Sequence, residues 1–305
     1  MEIVKVFVII VTYNGKQWYD RCFESLRNST IILQTIVVDN ASTDDTVEYI
    51  KTNFPEVILL QSQVNLGFGQ GNNKGIRYAL DHDADYVFLL NQDAWIEPDT
   101  IAGLVKIHQL NTDFGILSPM HLNAEKTTIE KGLMNYVANY QITTTDLIND
   151  LYFSKIKDVY ETQYINAAAW LLPRQTMETV GGFDPIFFHY GEDDNYIDRV
   201  HYHGYMIGLC PLLIISHDTE RAVKKTIFTS QSAQKTLLRT FTDINGGKSI
   251  YKFVFYSLRK AFLKSLKLKF SLSCQLLSDA MFIWKSRNSI LESRRRNRMK
   301  SNTWL

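Results

Sequence analysis

At 305 residues, the chain is long enough for one large α/β domain with an appendage or for two modest domains. Its composition, with 45% hydrophobic and 21% charged residues, 15 Gly and 6 Pro, excludes the disordered and fibrous classes of protein. The three cysteines, Cys22, Cys210 and Cys274, are far apart and form no C-x-x-C pair. Neither a disulfide framework nor a sulfur metal site is therefore indicated, and the pattern is typical of a reducing compartment.

The net charge of +1 conceals an uneven distribution of charge along the chain. Residues 248–305 contain 14 Lys and Arg against 2 Asp and Glu, whereas residues 1–247 contain 19 basic and 30 acidic residues. An acidic body is therefore followed by a basic tail. The apolar run at residues 4–11 lacks a signal-peptide cleavage site and is interpreted as a buried strand. No run reaches the ~18 apolar residues that a membrane-spanning helix needs.

The first half of the chain alternates short β-branched runs with helical patterns, which predicts successive βα units and a mostly parallel sheet. The predicted strands are Lys5–Val11, Thr35–Asp39, Val57–Gln61, Tyr86–Asn91 and Gly115–Met120. The predicted helices are Gln17–Arg27, Thr43–Asn53, Gly69–Leu80 and Pro98–Gln109. Polar capping residues at 42–45 and a proline at 98 mark two of the helix starts.

Two later regions depart from this rhythm. Residues 121–165 carry short polar and aromatic pieces, which favour antiparallel strands or a loop-rich insert. From about Ala233 the pattern predicts basic amphipathic helices, so we divide the chain into a body, residues 1–232, and a tail, residues 233–305. One predicted apolar face of the tail consists of Ile250, Val254, Leu258, Ala261 and Phe262.

Polar residues follow three of the predicted strands. They form the segments Thr12-Tyr13-Asn14, Asp39-Asn40-Ala41-Ser42 and Asn91-Gln92-Asp93. Any one of these segments is explained by ordinary turn chemistry. Three of them at the carboxyl edge of one sheet favour a ligand site, because open α/β sheets bind ligands there.

A glycine-rich segment, Asn65–Gly75, precedes a predicted helix. Its alternating glycines are typical of a backbone that passes close to a ligand. The G-x-G-x-G spacing and its position after the third strand differ from a dinucleotide-binding fingerprint.

Three consecutive carboxylates, Glu192-Asp193-Asp194, follow an aromatic stretch. Such a cluster holds a cation or keeps one carboxylate ready as a general base, and it is equally explained as an acidic helix start. His217, after an apolar run, is either a metal ligand or a structural histidine.

Taken in order, these segments resemble the family 2 glycosyltransferases, especially the rhamnosyltransferase-like members that build bacterial surface polysaccharides. The resemblance spans Val4 to His217. The matching motifs are Val11–Asn14, Val37–Asp44, Asn65–Gly75, Leu90–Asp93, Gly181–Asp184 and Tyr190–Asp193. It implies the A-type glycosyltransferase fold, an α/β fold with a Rossmann-like, mostly parallel sheet flanked by helices and here with a C-terminal helical extension.

The resemblance also implies roles for individual residues. Asp93 and His217 would bind a divalent metal, Mg²⁺ or Mn²⁺, that bridges the donor diphosphate. The implied donor-binding residues are Thr12, Tyr13, Asn14, Asp39, Ser42, Asn65, Gly67, Asn72, Asn91 and Gln92. Asn91 stands where the family's D-x-D motif has its first Asp, so only one carboxylate remains for the metal.

For the reaction, the resemblance implies an inverting transfer in which Asp193 is the base and Glu192 is its neighbour in the catalytic pair. The expected substrates are a nucleotide-diphosphate sugar, UDP- or dTDP-linked, and a saccharide or lipid-linked saccharide acceptor. We expect a cytoplasmic protein with peripheral contact to the inner face of the cell membrane. The basic tail then either binds that membrane or packs on the body or on a second subunit of a homo-oligomer. No nucleic-acid partner is expected.

Two alternatives remain open at this stage. One is a sugar nucleotidyltransferase, although Thr12–Gly15 stands where that class has a glycine-rich loop with Thr-Arg. The other is a nucleotide-sugar-binding protein without transfer activity, which is favoured only by Asn91.

Overall fold

The computed structural model describes residues 4–139, 141–219 and 230–305. The strands are β1 Val6–Thr12, β2 Leu33–Asp39, β3 Ile58–Gln61, β4 Tyr86–Leu90, β5 Ala94–Ile96, β6 Phe114–Leu122, β7 Tyr160–Glu161, β8 Ala169–Pro173 and β9 Met206–His217. The helices are α1 Lys16–Arg27, α2 Thr46–Asn53, α3 Gly67–Asp81, α4 Thr100–Leu110, α5 Lys131–Asn139, α6 Gln141–Tyr152, α7 Arg174–Val180, α8 Glu192–Tyr202, α9 Ser230–Thr242, α10 Ile250–Leu266 and α11 Phe270–Asn297.

The nine strands form one sheet in the order β3-β2-β1-β4-β8-β6-β9-β5, with β7 paired to β9. The pairs β1–β2, β1–β4 and β2–β3 are parallel, as the βα pattern predicts. β8 then lies antiparallel between β4 and β6, and β9 runs parallel to β6 but antiparallel to β5 and β7. The sheet is therefore parallel at one end and mixed at the other, a difference that hydrophobic periodicity does not report because it carries no strand direction.

The central strands are buried on both faces. Phe7 and Ile9 of β1 belong to one core cluster, whereas Val8 and Ile10 belong to the cluster on the opposite face. Because successive side chains of a strand point to opposite faces, a strand covered by helices on both sides reads as a continuous apolar run. This explains the uninterrupted hydrophobic start of the sequence.

The prediction of antiparallel strands or a loop-rich insert for residues 121–165 is wrong for nearly half of that region, where helices form instead. Helices α5 and α6 occupy residues 131–139 and 141–152, and β7 has two residues. The carboxylate of Glu130 starts α5, because its two oxygens accept the backbone N–H groups of Gly132 and Leu133, each at 2.8 Å. Such capping stabilises a helix whose apolar pattern is short.

The glycines of α3 allow this helix to pack closely against other parts of the protein. A Cβ atom at Gly71 would lie 2.7 Å from the side chain of Val11, and one at Gly75 would lie 2.6 Å from Ile9. A Cβ atom at Gly69 would lie 2.9 Å from Phe183. The glycine spacing that suggested close approach to a ligand thus serves close approach to β1 and to the segment before α8.

The C-terminal helices pack on the body and on one another. Phe241, Ile250, Ile283 and Ile290 form a separate core cluster, against which Ile186 of the body packs. In addition, Ser293 and Asn297 of α11 donate hydrogen bonds to the carboxylate of Asp184, at 2.5 and 2.9 Å. The packing alternative for the tail is therefore correct for these surfaces.

One face of α10 differs from the predicted one. Of that face, Ile250 and Ala261 are buried, but Leu258 and Phe262 are exposed. A second apolar row, which we call the α10 stripe, lies on the solvent side and is 48–65% exposed. It consists of Tyr251, Phe255, Leu258, Phe262 and Leu266. No helix in the described part of the chain combines the length and the hydrophobicity that crossing a bilayer requires.

The three cysteines are free thiols in different surroundings. Cys22 and Cys210 are fully buried, and burial raises the pKa of both thiols, to about 12 for Cys210. Cys274 is exposed near the start of α11.

We predict that Gly67→Ala destabilises the protein strongly. Gly67 has φ +76°, and an added Cβ would lie 1.9 Å from the carbonyl oxygen of Phe188, a backbone atom that cannot yield alone. Gly204 is the matched control, because it has φ +89° but nothing within 4 Å of an added Cβ. Urea unfolding should show that Gly204→Ala lowers the free energy of unfolding by about 1–2 kcal/mol, because alanine is strained at this positive φ. Gly67→Ala should lose about 1–3 kcal/mol more, from the clash; equal losses would contradict this interpretation.

Candidate functional site

The loop after β1 is tied to the loop after β4 by side-chain hydrogen bonds. Thr12 is fully buried, and its hydroxyl contacts both the hydroxyl of Tyr19 and the side-chain oxygen of Gln92, the latter at 2.6 Å. The same Gln92 oxygen accepts the backbone N–H of Tyr13 at 3.1 Å. Thr12 and Gln92 thus fix the two loops through hydrogen bonds within the protein, whereas the Tyr13 ring is half-exposed to solvent.

The loop after β1 is tied in the same way to the loop after β2. The side-chain oxygen of Asn14 accepts the N–H of Thr43 at 2.9 Å, and the N–H of Asn14 donates to the hydroxyl of Ser42 at 3.0 Å. Asp39 is buried and accepts the N–H of Ser42 at 3.2 Å. These short polar turns bring Asn14, Asp39 and Ser42 together at the carboxyl edge of the sheet, as predicted.

Asn40, which the sequence reasoning did not single out, holds the loop after β3. Its amide nitrogen donates to Asn65 at 3.0 Å, and its oxygen accepts the N–H of Leu66 at 2.7 Å. The oxygen of Asn65 also accepts the N–H of Gly67 at 2.9 Å. Asn72 is buried and donates to the carbonyl of Phe68 within its own helix at 3.0 Å. Asn65, Gly67 and Asn72 therefore shape this wall of the site through contacts within the protein.

Asp93 and His217 are in contact, as the sequence predicts. The Oδ1 atom of Asp93 lies 3.4 Å from the Nε2 atom of His217, and the amide nitrogen of Asn91 lies 3.4 Å from the same Nε2. Burial lowers the pKa of His217, but the hydrogen bond and charge of Asp93 outweigh burial and leave that pKa above its ordinary value. The pairing of β5 with β9, which sets Ala94 opposite His217, creates this contact.

The chemistry of these side chains suits a divalent cation. Asp93 offers an anionic oxygen, His217 offers an imidazole nitrogen, and Asn91 offers an amide oxygen if its side chain turns over. Mg²⁺ prefers oxygen ligands and water, and first-row divalent metals also accept imidazole. The donor set therefore fits a cation that retains several waters.

Two further residues that the sequence reasoning missed lie beside His217. His121, at the end of β6, and Glu130 each place one potential ligand atom within 4.8 Å of one another and of His217. All three residues are buried. Burial lowers the pKa of His121 to about 3, so its imidazole is neutral. The sequence signal was weak, because a lone histidine and a lone glutamate in an irregular region carry no spacing pattern.

A cavity of about 200 Å³ connects the metal side of the site to the acidic cluster. Asn91 of the metal side lines it, as do Glu192 and Asp193 at the N-terminus of α8. Its other walls are Phe68, Asn166, Ala167, Ala168, His189 and Tyr190. Two segments about 100 residues apart in sequence thus face one space.

The two carboxylates of this pair differ in surroundings. Asp193 is half-buried, and its Oδ2 atom accepts the hydroxyl of Tyr164 at 2.8 Å. Glu192 is 4% exposed, and its Oε2 atom is buried with no hydrogen-bond partner among the described residues. Burial, with the charge of Asp193, raises the pKa of Glu192 to about 7. Both residues line the cavity, but Asp193 is partly exposed and held by Tyr164, whereas Oε2 of Glu192 is buried.

The tail reaches this end of the site. Arg239 of α9 forms an ion pair with Asp194 at 2.9 Å, and Lys235 lies over the ring of Tyr190 at 4.6 Å from its centroid. Burial and the charge of Asp193 raise the pKa of Asp194 to about 6 despite Arg239. Asp194 is thus a link between α8 and the tail.

Comparisons with known proteins agree with this geometry. The model of the family described as "Glycosyl transferase family 2" matches residues 7–165, more than half of the chain. The low-salt glycan biosynthesis hexosyltransferase Agl10 of Haloferax volcanii is 25% identical over 224 residues, which cover 73% of this chain and 69% of Agl10.

Two solved structures show the same fold, the A-type glycosyltransferase fold. GalNAc-T7, solved with UDP, GalNAc and Mn²⁺, has a TM-score of 0.64 at 16% identity, over 99% of this chain and 56% of that one. TarS 1-349 of S. aureus, solved with UDP-GlcNAc, has a TM-score of 0.57 at 13% identity, over 97% of this chain and 90% of that one. The expected fold, with a sheet flanked by helices and a C-terminal helical extension, is confirmed.

We predict that Glu192→Gln stabilises the protein at neutral and alkaline pH. The folded pKa of Glu192, about 7, lies above its ordinary value of 4.5, so the folded state binds the proton more tightly and its stability falls as pH rises from 4.5 to 7. Glutamine is neutral at every pH. The difference in unfolding free energy between Glu192→Gln and the wild type should therefore grow from pH 4.5 to 7 and level off at about 3 kcal/mol, which corresponds to the rise in pKa from 4.5 to about 7.

Chemical denaturation at pH 4.5, 6 and 8 measures this difference. The exposed Glu48→Gln, on α2, is the matched control and should show no such dependence. A difference between Glu192→Gln and the wild type that is the same at pH 4.5 and pH 8 would contradict the prediction.

Proposed function

Because the chain belongs to glycosyl transferase family 2, we propose that it moves a hexosyl or deoxyhexosyl group from a nucleotide-diphosphate sugar to a hydroxyl of a saccharide or lipid-linked saccharide, with inversion and with help from a divalent metal. The observation that carries the proposal is the cavity that both Asn91 and Asp193 line. It brings the side that would hold the leaving diphosphate and the side that would hold the attacking hydroxyl to one space.

On the donor side, the carboxyl edge of the sheet would receive the nucleotide. Tyr13 and the polar turns at Asn14, Asp39 and Ser42 surround this edge, and Asp93 with His217 would hold the metal. When bound, the metal would stabilise the negative charge that develops on the leaving diphosphate. A UDP- or dTDP-linked donor is supported by the UDP in the GalNAc-T7 structure and the UDP-GlcNAc in the TarS structure.

On the acceptor side, we assign the general base to Asp193. Its carboxylate would take the proton of the acceptor hydroxyl as the oxygen attacks the anomeric carbon and the bond from that carbon to the diphosphate oxygen breaks. Attack from the face opposite the leaving group inverts the anomeric centre. A base must reach the hydroxyl, and the buried Oε2 atom of Glu192 is less accessible than the half-exposed Asp193.

The α10 stripe leads us to propose that the tail contacts an anionic membrane surface at the cytoplasmic face. Tyr251, Phe255 and Phe262 are 62–65% exposed, and Lys252 and Arg259 on the same helix are exposed beside them. Aromatic side chains at headgroup depth, flanked by basic ones, suit an anionic bilayer. This surface would hold the protein beside a lipid-linked acceptor.

We predict that Asp93→Asn lowers the Mn²⁺-dependent affinity for UDP by at least about 100-fold, because it removes the anionic metal ligand. Loss of a residue that only supports a ligand costs about 10–100-fold, and loss of the ligand itself should cost at least as much. Asn91→Asp is the paired variant and should tighten Mn²⁺ binding, because it adds a carboxylate. Titration calorimetry with and without Mn²⁺ measures both. Unchanged Mn²⁺ dependence in Asp93→Asn would overturn the metal role, and stabilisation by GDP but not by UDP or dTDP would overturn the donor assignment.

We predict that Asp193→Asn leaves UDP binding unchanged and slows turnover by ~10²–10⁴, the contribution of a general base. Release of UDP or dTDP from a panel of UDP- and dTDP-sugars, with water as the acceptor, measures turnover. Tyr164→Phe removes the hydroxyl that orients Asp193 and should give a smaller loss. Normal turnover in Asp193→Asn with loss in Glu192→Gln would assign the base to Glu192. Binding without any turnover by the wild type would favour a non-catalytic binding protein.

We predict that Phe255→Ser combined with Phe262→Ser lowers binding to phosphatidylglycerol vesicles at least about 10-fold, because it removes apolar area from the α10 stripe. Vesicle sedimentation at low and high salt measures this binding. Ile32→Ser combined with Leu110→Ser is the matched control, since these side chains are 80% and 75% exposed elsewhere. Loss of a dimer in the stripe variant, with no wild-type vesicle binding, would instead identify the stripe as an interface between two copies.

A further inference from the structure

His121, Glu130 and His217 form a buried cluster that adjoins the contact of His217 with Asp93. β9 is the middle of three strands here. On one side, β5 sets Ala94 opposite His217, and on the other side, β6 sets Leu122 opposite Ser216. The backbone N–H of Glu130 donates to the carbonyl of His121 at 2.9 Å, which fixes Glu130 beside β6. His217 therefore belongs both to the metal side of the site and to a buried polar cluster.

Hydrogen bonding defines which nitrogen of His121 carries the proton. The hydroxyl of Ser118 has one proton, which it donates to the carbonyl of Ala169 at 2.7 Å. The Nε2 atom of His121 lies 3.1 Å from the same hydroxyl, so Nε2 carries the proton and Ser118 accepts it. The Nδ1 atom of the neutral His121 is then a bare acceptor. It is buried and has no hydrogen-bond partner among the described residues.

Glu130 adds a second acceptor to the cluster. Its two oxygens each accept one backbone N–H from the start of α5 and retain lone pairs. The remaining group is Nδ1 of His217, which is also buried and without a hydrogen-bond partner in the described ranges. The cluster thus contains two hydrogen-bond acceptors, Nδ1 of His121 and an oxygen of Glu130. No backbone hydrogen bond determines whether Nδ1 of His217 carries a proton.

One arrangement of protons satisfies all three groups and leaves the Nε2 atom of His217 free for a metal. If Nδ1 of His217 carries a proton, a small shift of the side chains would let it donate to His121 or Glu130, which are near it but not hydrogen-bonded to it in the structure. If one water bridges the three, its two protons go to His121 and Glu130, and it must then accept a proton from Nδ1 of His217. Both routes leave Nδ1 of His217 protonated and its Nε2 lone pair free. The amide nitrogen of Asn91 and the Oδ1 atom of Asp93 both lie 3.4 Å from that Nε2; the amide favours a bare Nε2, whereas the carboxylate favours a protonated one. A metal held by Asp93 and Nε2 would replace the hydrogen bond to Asp93 and would require the proton on Nδ1.

We propose that His121 and Glu130 are positioning residues that hold His217 in the Nδ1–H tautomer, so that its Nε2 lone pair points to the place beside Asp93 where a metal would bind. The inference rests on the proposed metal-assisted function. Partners of this kind orient the ligands of many metal sites, and their loss lowers metal affinity by roughly 10–100-fold.

The tautomer is measured first, without any reaction. Long-range ¹H–¹⁵N spectra of histidine-labelled protein at pH 8.5, with Mg²⁺ and UDP, should show a protonated Nδ1 and a bare Nε2 for His217, assigned by the signals lost in His217→Asn. In His121→Phe the preference for Nδ1–H should weaken. A dominant Nε2–H tautomer in the wild type would overturn the proposal.

Metal affinity is measured second, by electron paramagnetic resonance of free Mn²⁺ at saturating UDP. His121→Phe should weaken Mn²⁺ binding by about 10–100-fold. His121→Asn, which keeps an acceptor near the Nδ1 position, should recover much of that loss. His108→Phe is the matched control, because it removes another buried histidine, bonded to Tyr86 at 2.9 Å, and should cost stability without changing Mn²⁺ affinity.

The outcomes separate this inference from the function on which it rests. Unchanged Mn²⁺ affinity in His121→Phe would overturn the positioning role. Mn²⁺ or Zn²⁺ that stays bound in Asp93→Ala but is lost in His121→Phe would overturn it as well, since the cluster would then hold a cation itself. A His217 Nδ1–H signal that depends on His121, in a protein that binds no metal, would support the tautomer assignment and overturn metal assistance.

Discussion

Antiparallel pairing of β5 with β9 is the constraint on which the candidate site depends. It sets Ala94 opposite His217, and the backbone N–H of Asp218 donates to the carbonyl of Asp93 at 2.9 Å. Because side chains alternate along a strand, a shift of one residue would turn His217 to the other face of the sheet. The contact of Asp93 with His217 is therefore set by sheet register, and the polar turns around it rest on this frame.

The first half of the fold was predictable because its parallel strands carry apolar runs. In β1 and β4 the runs are long and buried, whereas in β2 and β3 they have three residues each. The second half was harder for two physical reasons. The strand β5 has three residues and β7 has two, too few to show a period. Helices α5 and α6 lie where the sequence reads as polar and aromatic fragments, and the cap supplied by Glu130 becomes evident only once the helix is seen.

The candidate site divides in the same way. The sequence singled out Asp93 and the Glu192-Asp193 pair because each belongs to an ordered motif, and it singled out His217 through the family resemblance; their roles stay predictions. The residues that support them were not found, because their importance arises from tertiary contacts. Asn40 acts by bonding the loop after β3, Tyr164 by bonding Asp193, and His121 by its place beside His217. The glycines of α3 were recognised as unusual, but their spacing did not show that Gly71 and Gly75 pack against β1.

The distribution of thiols gives the molecule a natural attachment point for a spectroscopic probe. Cys22 and Cys210 are enclosed and resist deprotonation, so an alkylating dye should react with Cys274 without any engineered change. Cys274 sits one turn into α11, close in sequence to the end of α10. An environment-sensitive fluorophore there would change its emission as the helical hairpin meets a bilayer or another polypeptide, and it would do so in the otherwise native chain.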